Sequence, residues 1–128
     1  MTQRHAIFLT LIFLVIICLI FIKLNDNQEP YSSENIRLES NKQIILITAK
    51  GGYLPKNTLA KANIPSVLKV NTQGTYDCSA SLVIPELNFK QFLPPQGETQ
   101  IEIPPQKPGT KITGLCSMGM YNFTLNFN

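Results

Sequence analysis

The chain contains no tryptophan, a single histidine and no run of basic residues. Each absence removes a class of function. His5 stands at the extreme N-terminus, so an electron-transfer metal centre built from two histidines and a cysteine cannot be assembled. A net charge of +3, scattered over 11 basic and 8 acidic residues without tryptophan, gives no footprint for nucleic acid. There are no paired carboxylates, no nucleophile beside a base and no phosphate-binding loop, so nothing points to an enzyme. Cysteine is scarce, with three in the chain. Cys78 and Cys116 lie 38 positions apart, which excludes a C-x-x-C redox motif.

The sulfur that is present is concentrated. CSMGMY (116–121) places Cys116, Met118 and Met120 at alternate positions, and Cys78 lies upstream. Thiolate and thioether sulfur select soft ions, Cu(I) and also Ag(I), over Zn(II), Mg(II) or Ca(II). In an extended chain the three side chains share one side. In a tight loop, Gly119 supplies the bend. Two cysteines on neighbouring strands of a small β domain also form disulfides, and loop methionines also fill cores. Both readings stay open beside metal binding.

Residues 6–22, AIFLTLIFLVIICLIFI, form an apolar run broken only by Thr10 and bracketed by Arg4 and Lys23. As a helix it would rise about 25 Å, at the short end of a bilayer crossing. A cleavable signal peptide would have a shorter apolar region and a small-residue cleavage site. KLNDN (23–27) offers none, and Ile17 stands where a lipoprotein would need a small residue before Cys18. The expectation is an N-terminal tail (1–5), a retained transmembrane helix (6–24) and a flexible linker (25–42). The placement is single-pass in the cell membrane. Lys23, Arg37 and Lys42 downstream, against Arg4 upstream, point the C-terminal domain toward the cytosol. Free cysteines fit a reducing compartment.

After residue 42 the composition becomes that of a β domain. QIILITA (43–49) reads as a strand buried on both faces. Ile36 and Leu38 alternate and offer a short edge strand as the alternative to a spacer. A weak strand is expected at 59–62 and an alternating one at 66–71. Cys78 opens a strand CSASLVI and shares a face with Ala80, Leu82 and Ile84. Pro85, Pro94, Pro95 and Gly97 mark 85–97 as a connection. ETQIEI (98–103) is the cleanest strand. Lys111 to Cys116 and Asn122 to Phe127 follow, the latter with Phe123, Leu125 and Phe127 inward. Short strands separated by proline and glycine turns predict an all-β, antiparallel Greek-key sandwich over residues 43–128. Cys78 beginning one strand and Cys116 ending another fall at the same pole if those strands are antiparallel.

GGYLP (51–55), LPPQGETQIEIPPQKPG (93–109) and LCSMGMYNFTL (115–125) resemble the plastocyanin-like, cupredoxin-fold domains found with bacterial copper-exporting ATPases. One helix followed by one such domain is similar to their membrane-anchored Cu(I) chaperones. The resemblance covers about residues 43–128. It implies a binuclear Cu(I) site, with Cys78 and Cys116 forming a tight thiolate site and Met118 and Met120 a weaker adjoining one. It implies, as partner, the N-terminal metal-binding domain of a copper-exporting P-type ATPase, in the service of copper resistance. Asp77 and Glu86 are neighbours in sequence without an assigned role. The competing expectation is a disulfide-stabilised, extracytoplasmic β-sandwich interaction module without metal.

Overall fold

The computed structural model describes residues 2–24 and 32–128. The first element is a helix, α1, over Thr2–Leu24. It is followed by ten strands: β1 (Ile36–Glu39), β2 (Lys42–Ala49), β3 (Tyr53–Leu54), β4 (Asn57–Ala60), β5 (Ser66–Gln73), β6 (Ser81–Ile84), β7 (Phe89–Phe92), β8 (Gln96–Ile103), β9 (Lys111–Cys116) and β10 (Asn122–Phe127). One sheet runs β1-β2-β5-β8, with β3 paired to β2. The other runs β4-β10-β9-β6-β7.

The core lies between the sheets, and strand alternation selects it. From the first sheet come Ile45, Ile47, Leu68, Val70, Ile101 and Ile103. From the second come Leu82, Ile84, Ile112, Phe123, Leu125 and Phe127. Fully burying one such side chain contributes about 1.5–3 kcal/mol. The outer face of β8 is polar as expected, and Glu98 and Glu102 pair there with Lys69 and Lys42, each at 3.3 Å. A buried glutamine ties the loop after β4 to the first sheet. Gln43 Nε2 donates to the Lys61 carbonyl (2.6 Å) and to Ser66 Oγ (2.8 Å), and Gln43 Oε1 accepts from Lys61 N (3.0 Å).

Several expectations are corrected. Among the described residues, no helix is long and apolar enough to cross a membrane. This overturns the transmembrane helix at 6–24. It also overturns the single-pass placement in the cell membrane with a cytosol-facing domain, and the N-terminal helix as a crossing tether to the membrane. The physical reason joins length and apolarity. The apolar run rises about 25 Å, against about 30 Å of hydrocarbon, and α1 gains its remaining turns from residues 2–5 and 23, where the sequence is polar.

The sandwich is also not wholly antiparallel, since β2 runs parallel to β5 and β4 parallel to β10. A parallel pair needs a long crossover. Residues 50–65 provide it by carrying β4 into the opposite sheet before the chain returns as β5.

Residues 25–31, the first part of the expected linker, lie outside the described residues. Residues 36–39 form a strand rather than a spacer. They pair antiparallel with β2, so that Ile36 faces Ile45 and packs against the core. The connection after Pro85 contains β7, which pairs antiparallel with β6 at the sheet edge.

Candidate metal centre

The two cysteines meet through the pairing of β6 with β9. That pairing is antiparallel, with Leu82 opposite Cys116 and Val83 opposite Leu115. It carries the end of β9 to the start of the segment holding Cys78. Cys78 does not open the strand itself. It begins a 3-10 turn, Cys78–Ala80, which leads into β6. The reason is Asp77. Its carboxylate accepts from Ser79 N (2.8 Å) and from Ser79 Oγ, bending the backbone into a capped turn. The other carboxylate oxygen accepts from Gly51 N at 2.9 Å, tying the turn to the loop after β2. Tyr53 supports it from below, its hydroxyl donating to the Ser79 carbonyl at 2.9 Å.

Tyr53 is held by an edge-to-face contact with Phe123, with ring centroids 5.3 Å apart. Phe123 in turn lies on Gly114, its strand partner, so closely that a Cβ there would sit 2.1 Å from the ring. Gly114 is thus a packing requirement of the wall beneath the site.

Cys116 is buried and Cys78 half-buried, and both are free thiols. The two thiols influence each other's ionisation: hydrogen bonding toward Cys116 is the main cause raising the Cys78 thiol above its ordinary value, with burial adding to it. Burial also pushes Cys116 up. The Cys78 hydrogen bond and the backbone N–H groups of Tyr121, Met118 and Met120 outweigh it, and Cys116 lies below its ordinary value. Tyr121 N approaches Cys116 Sγ at 3.4 Å. Of the two thiols, Cys116 is the readier to ionise. The buried Tyr53 hydroxyl is held well above the ordinary tyrosine range, by burial first and then by the Cys116, Cys78 and Asp77 charges.

Met118 and Met120 occupy a tight turn between β9 and β10, not an extended strand. Gly119 adopts φ 73° and donates its N–H to the Cys116 carbonyl at 2.8 Å, and Cys116 N donates to the Tyr121 carbonyl at 2.9 Å. Ser117 N donates to the Ser81 carbonyl at 3.0 Å, closing the turn against β6. The methionine side chains are 77% and 65% exposed, far more than core filler would be. The structure thus brings Cys78 and Cys116 together and sets the two thioethers on the solvent side of the same turn. Among the described residues, no group of three or more histidine, cysteine, aspartate or glutamate side chains converges as a metal site would require. The soft donors beside the cysteine pair are the methionines.

Glu86 takes no part. Its carboxylate accepts from Thr113 N at 3.1 Å, on the side of β9. Asp77 is the residue that sequence reasoning left without a role. The signal was the Asp-x-Ser spacing, which suits a capped turn.

The cupredoxin-like domain model matches residues 11–127. The chain belongs to the cupredoxin-like domain family. No curated protein matches it. Among solved structures, this cupredoxin-like domain is similar to the metal-binding domain of the Streptococcus pneumoniae D39 Cu(I)-exporting P-type ATPase CopA, determined with Cu(I). The TM-score is 0.63 at 22% identity, over 73% of this chain and 92% of that one. It is also similar to a copper-binding protein solved by NMR in the apo form. There the TM-score is 0.65 at 22% identity, over 73% of this chain and 94% of that one. At this identity the likeness establishes the fold.

Proposed function

We propose that this cupredoxin-like domain is a Cu(I) carrier. Cys78 and Cys116 form its tight site, and Met118 and Met120 form a weaker, adjoining one, for two ions in all. One observation carries the reading: two free thiols, brought near each other by the pairing of β6 with β9, lie beside a turn that exposes two thioethers. That donor set suits Cu(I), and also Ag(I), and suits hard cations poorly.

Bringing two thiolates together is electrostatically costly, and a cation offsets the cost. Loading the cysteine pair therefore releases thiol protons. The thioethers stay neutral and release none. An ion held at the exposed turn can pass inward to the cysteines, or outward to a receiver's sulfur, through intermediates in which two sulfurs share it. The receiver we propose is the N-terminal metal-binding domain of a copper-exporting P-type ATPase, in the service of copper resistance. The fold likeness to such a domain supports the link.

The test is a count of Cu(I) bound by the reduced, oxygen-free chain against a competing Cu(I) chelator. Two ions of unequal affinity are the expected result. One ion would retain the cysteine pair and remove the methionine site. No bound ion, with a Cys78–Cys116 disulfide in protein taken from cells, would overturn the carrier reading in favour of a metal-free interaction module.

A further inference from the structure

The GGYLP stretch (51–55) supplies no sulfur, yet its first three residues reach both cysteine-bearing segments. Cys78 sits between two neighbours that this stretch anchors. Gly51 N donates to the Asp77 carboxylate at 2.9 Å, and the Tyr53 hydroxyl donates to the Ser79 carbonyl at 2.9 Å. Tyr53 and Ser79 are both buried, so water does not replace the second bond. Gly52 lies against the ring of Tyr121, with 3.6 Å between that ring and the place of a Cβ. Tyr121 is the residue whose N–H approaches Cys116 Sγ. The stretch is itself fixed, since Tyr53 pairs with Ala49 of β2 and its ring meets Phe123 edge to face. The two cysteines are therefore braced by one piece of chain, which sets the gap between their sulfurs.

We propose that the Gly51–Tyr53 segment, through Asp77 and Ser79, holds Cys78 at a fixed distance from Cys116 and so selects Cu(I) over the larger Ag(I). The inference rests on the carrier reading above and adds selectivity to it. Sulfur ligation alone accepts both ions, since both are soft. Size separates them. Two sulfurs free to move spread to suit either ion. A held pair cannot widen for Ag(I) without stretching the bond from Tyr53 to Ser79 or the bond from Gly51 to Asp77. Tyr53 and Asp77 are thus positioning residues, and each acts through the turn that carries Cys78. Groups that orient a metal ligand change affinity by about 10–100-fold when removed. The methionine turn is shaped by its own bonds to Cys116, Tyr121 and Ser81, and does not depend on that grip.

The experiment titrates the full 128-residue chain, reduced and oxygen-free, with Cu(I) and separately with Ag(I), each against a competing chelator. Tyr53→Phe removes the hydroxyl and keeps the ring on Phe123. It is expected to lower tight-site Cu(I) affinity about tenfold and Ag(I) affinity by a smaller factor, with the methionine-site affinity unchanged. Where that chain does not fold, Asp77→Ala, which frees the other side of the turn, takes its place with the same expected fall in the Cu(I)-to-Ag(I) ratio. Ile103→Val is the control. It thins the core at the far end of the first sheet, where Ile103 lies opposite Ser66, and should keep the wild-type ratio. An unchanged or raised ratio in the folded variant, an equal loss at the methionine site, or the same fall in Ile103→Val overturns the selectivity while leaving the carrier reading in place. A wild-type chain that binds neither ion overturns both.

Discussion

Cys116 and Met118 are two positions apart and occupy opposite surroundings. The Cys116 sulfur is buried and receives N–H groups from its own turn. Met118 is 77% exposed. The contrast teaches how one short turn can offer both a fixed receptor and an accessible one. Backbone groups organise the cysteine end before any ligand arrives, so little ordering is left to do there. The methionine end keeps its side chains in solvent, where an incoming complex can reach them.

The sharpest way to break the contrast is at its buried end. Cys116→Ser should lower Cu(I) affinity by more than about a hundredfold, because loss of even an outer partner of a ligand costs about 10–100-fold. Chelator competition reads it, and a variant that kept wild-type affinity would move the tight site elsewhere. Next comes the wall beneath. Gly114→Ala puts a methyl into the Phe123 ring and should destabilise the fold by about 1–3 kcal/mol. Urea unfolding would show this as a lower midpoint with unchanged slope. An unshifted midpoint would mean that the Phe123–Tyr53 stack moves aside without cost.

At the exposed end, replacing Met118 and Met120 together with isoleucine should reduce two bound ions to one and leave the tight affinity unchanged. Folding should be unaffected, since both side chains are in solvent. Loss of all copper would erase the division between the two ends.

The smallest effect concerns Asp77. Hydrogen bonds from the Ser79 side chain, Ser79 N and Gly51 N hold its carboxyl below the usual carboxylate value. A lowered folded value means that the ionised form adds stability above the unfolded value, about pH 4, and that this contribution is lost as pH falls through the folded one. Asp77→Asn should therefore be less stable than wild type at neutral pH, with the gap closing in acid. Unfolding midpoints across pH 2–7 would measure it, and a constant gap would remove Asp77's charge from the account.

Much of the sandwich was legible in the sequence because its strands alternate. Ile101 and Ile103 against Glu98 and Glu102 announce a half-buried strand, and Phe123, Leu125 and Phe127 share the core face as their parity requires. The approach of Cys78 to Cys116 followed from the antiparallel pairing expected of their segments, although Cys78 sits in the turn before β6 and not in the strand. What sequence could not supply was set by long-range partners or by local capping. β1 and β7 are short, mostly exposed edge strands whose partners lie elsewhere in the chain. The parallel pairs depend on which sheet β4 joins. The turn at Cys78 depends on one carboxylate reaching both Ser79 and Gly51. The N-terminal run was read as an anchor from its length and its flanking charges. Among the described residues no helix is both long and apolar enough to cross a membrane.

The turn between β9 and β10 holds its shape through three main-chain bonds, Gly119 N to the Cys116 carbonyl, Cys116 N to the Tyr121 carbonyl and Ser117 N to the Ser81 carbonyl, and through Tyr121 N to the Cys116 sulfur. None of these bonds involves the side chain at 118 or 120. The turn is thus a mounting with interchangeable fittings. Mutation can exchange one donor for another at either position without disturbing the scaffold, so selectivity for a cargo can drift, or be engineered, while the fold stays constant.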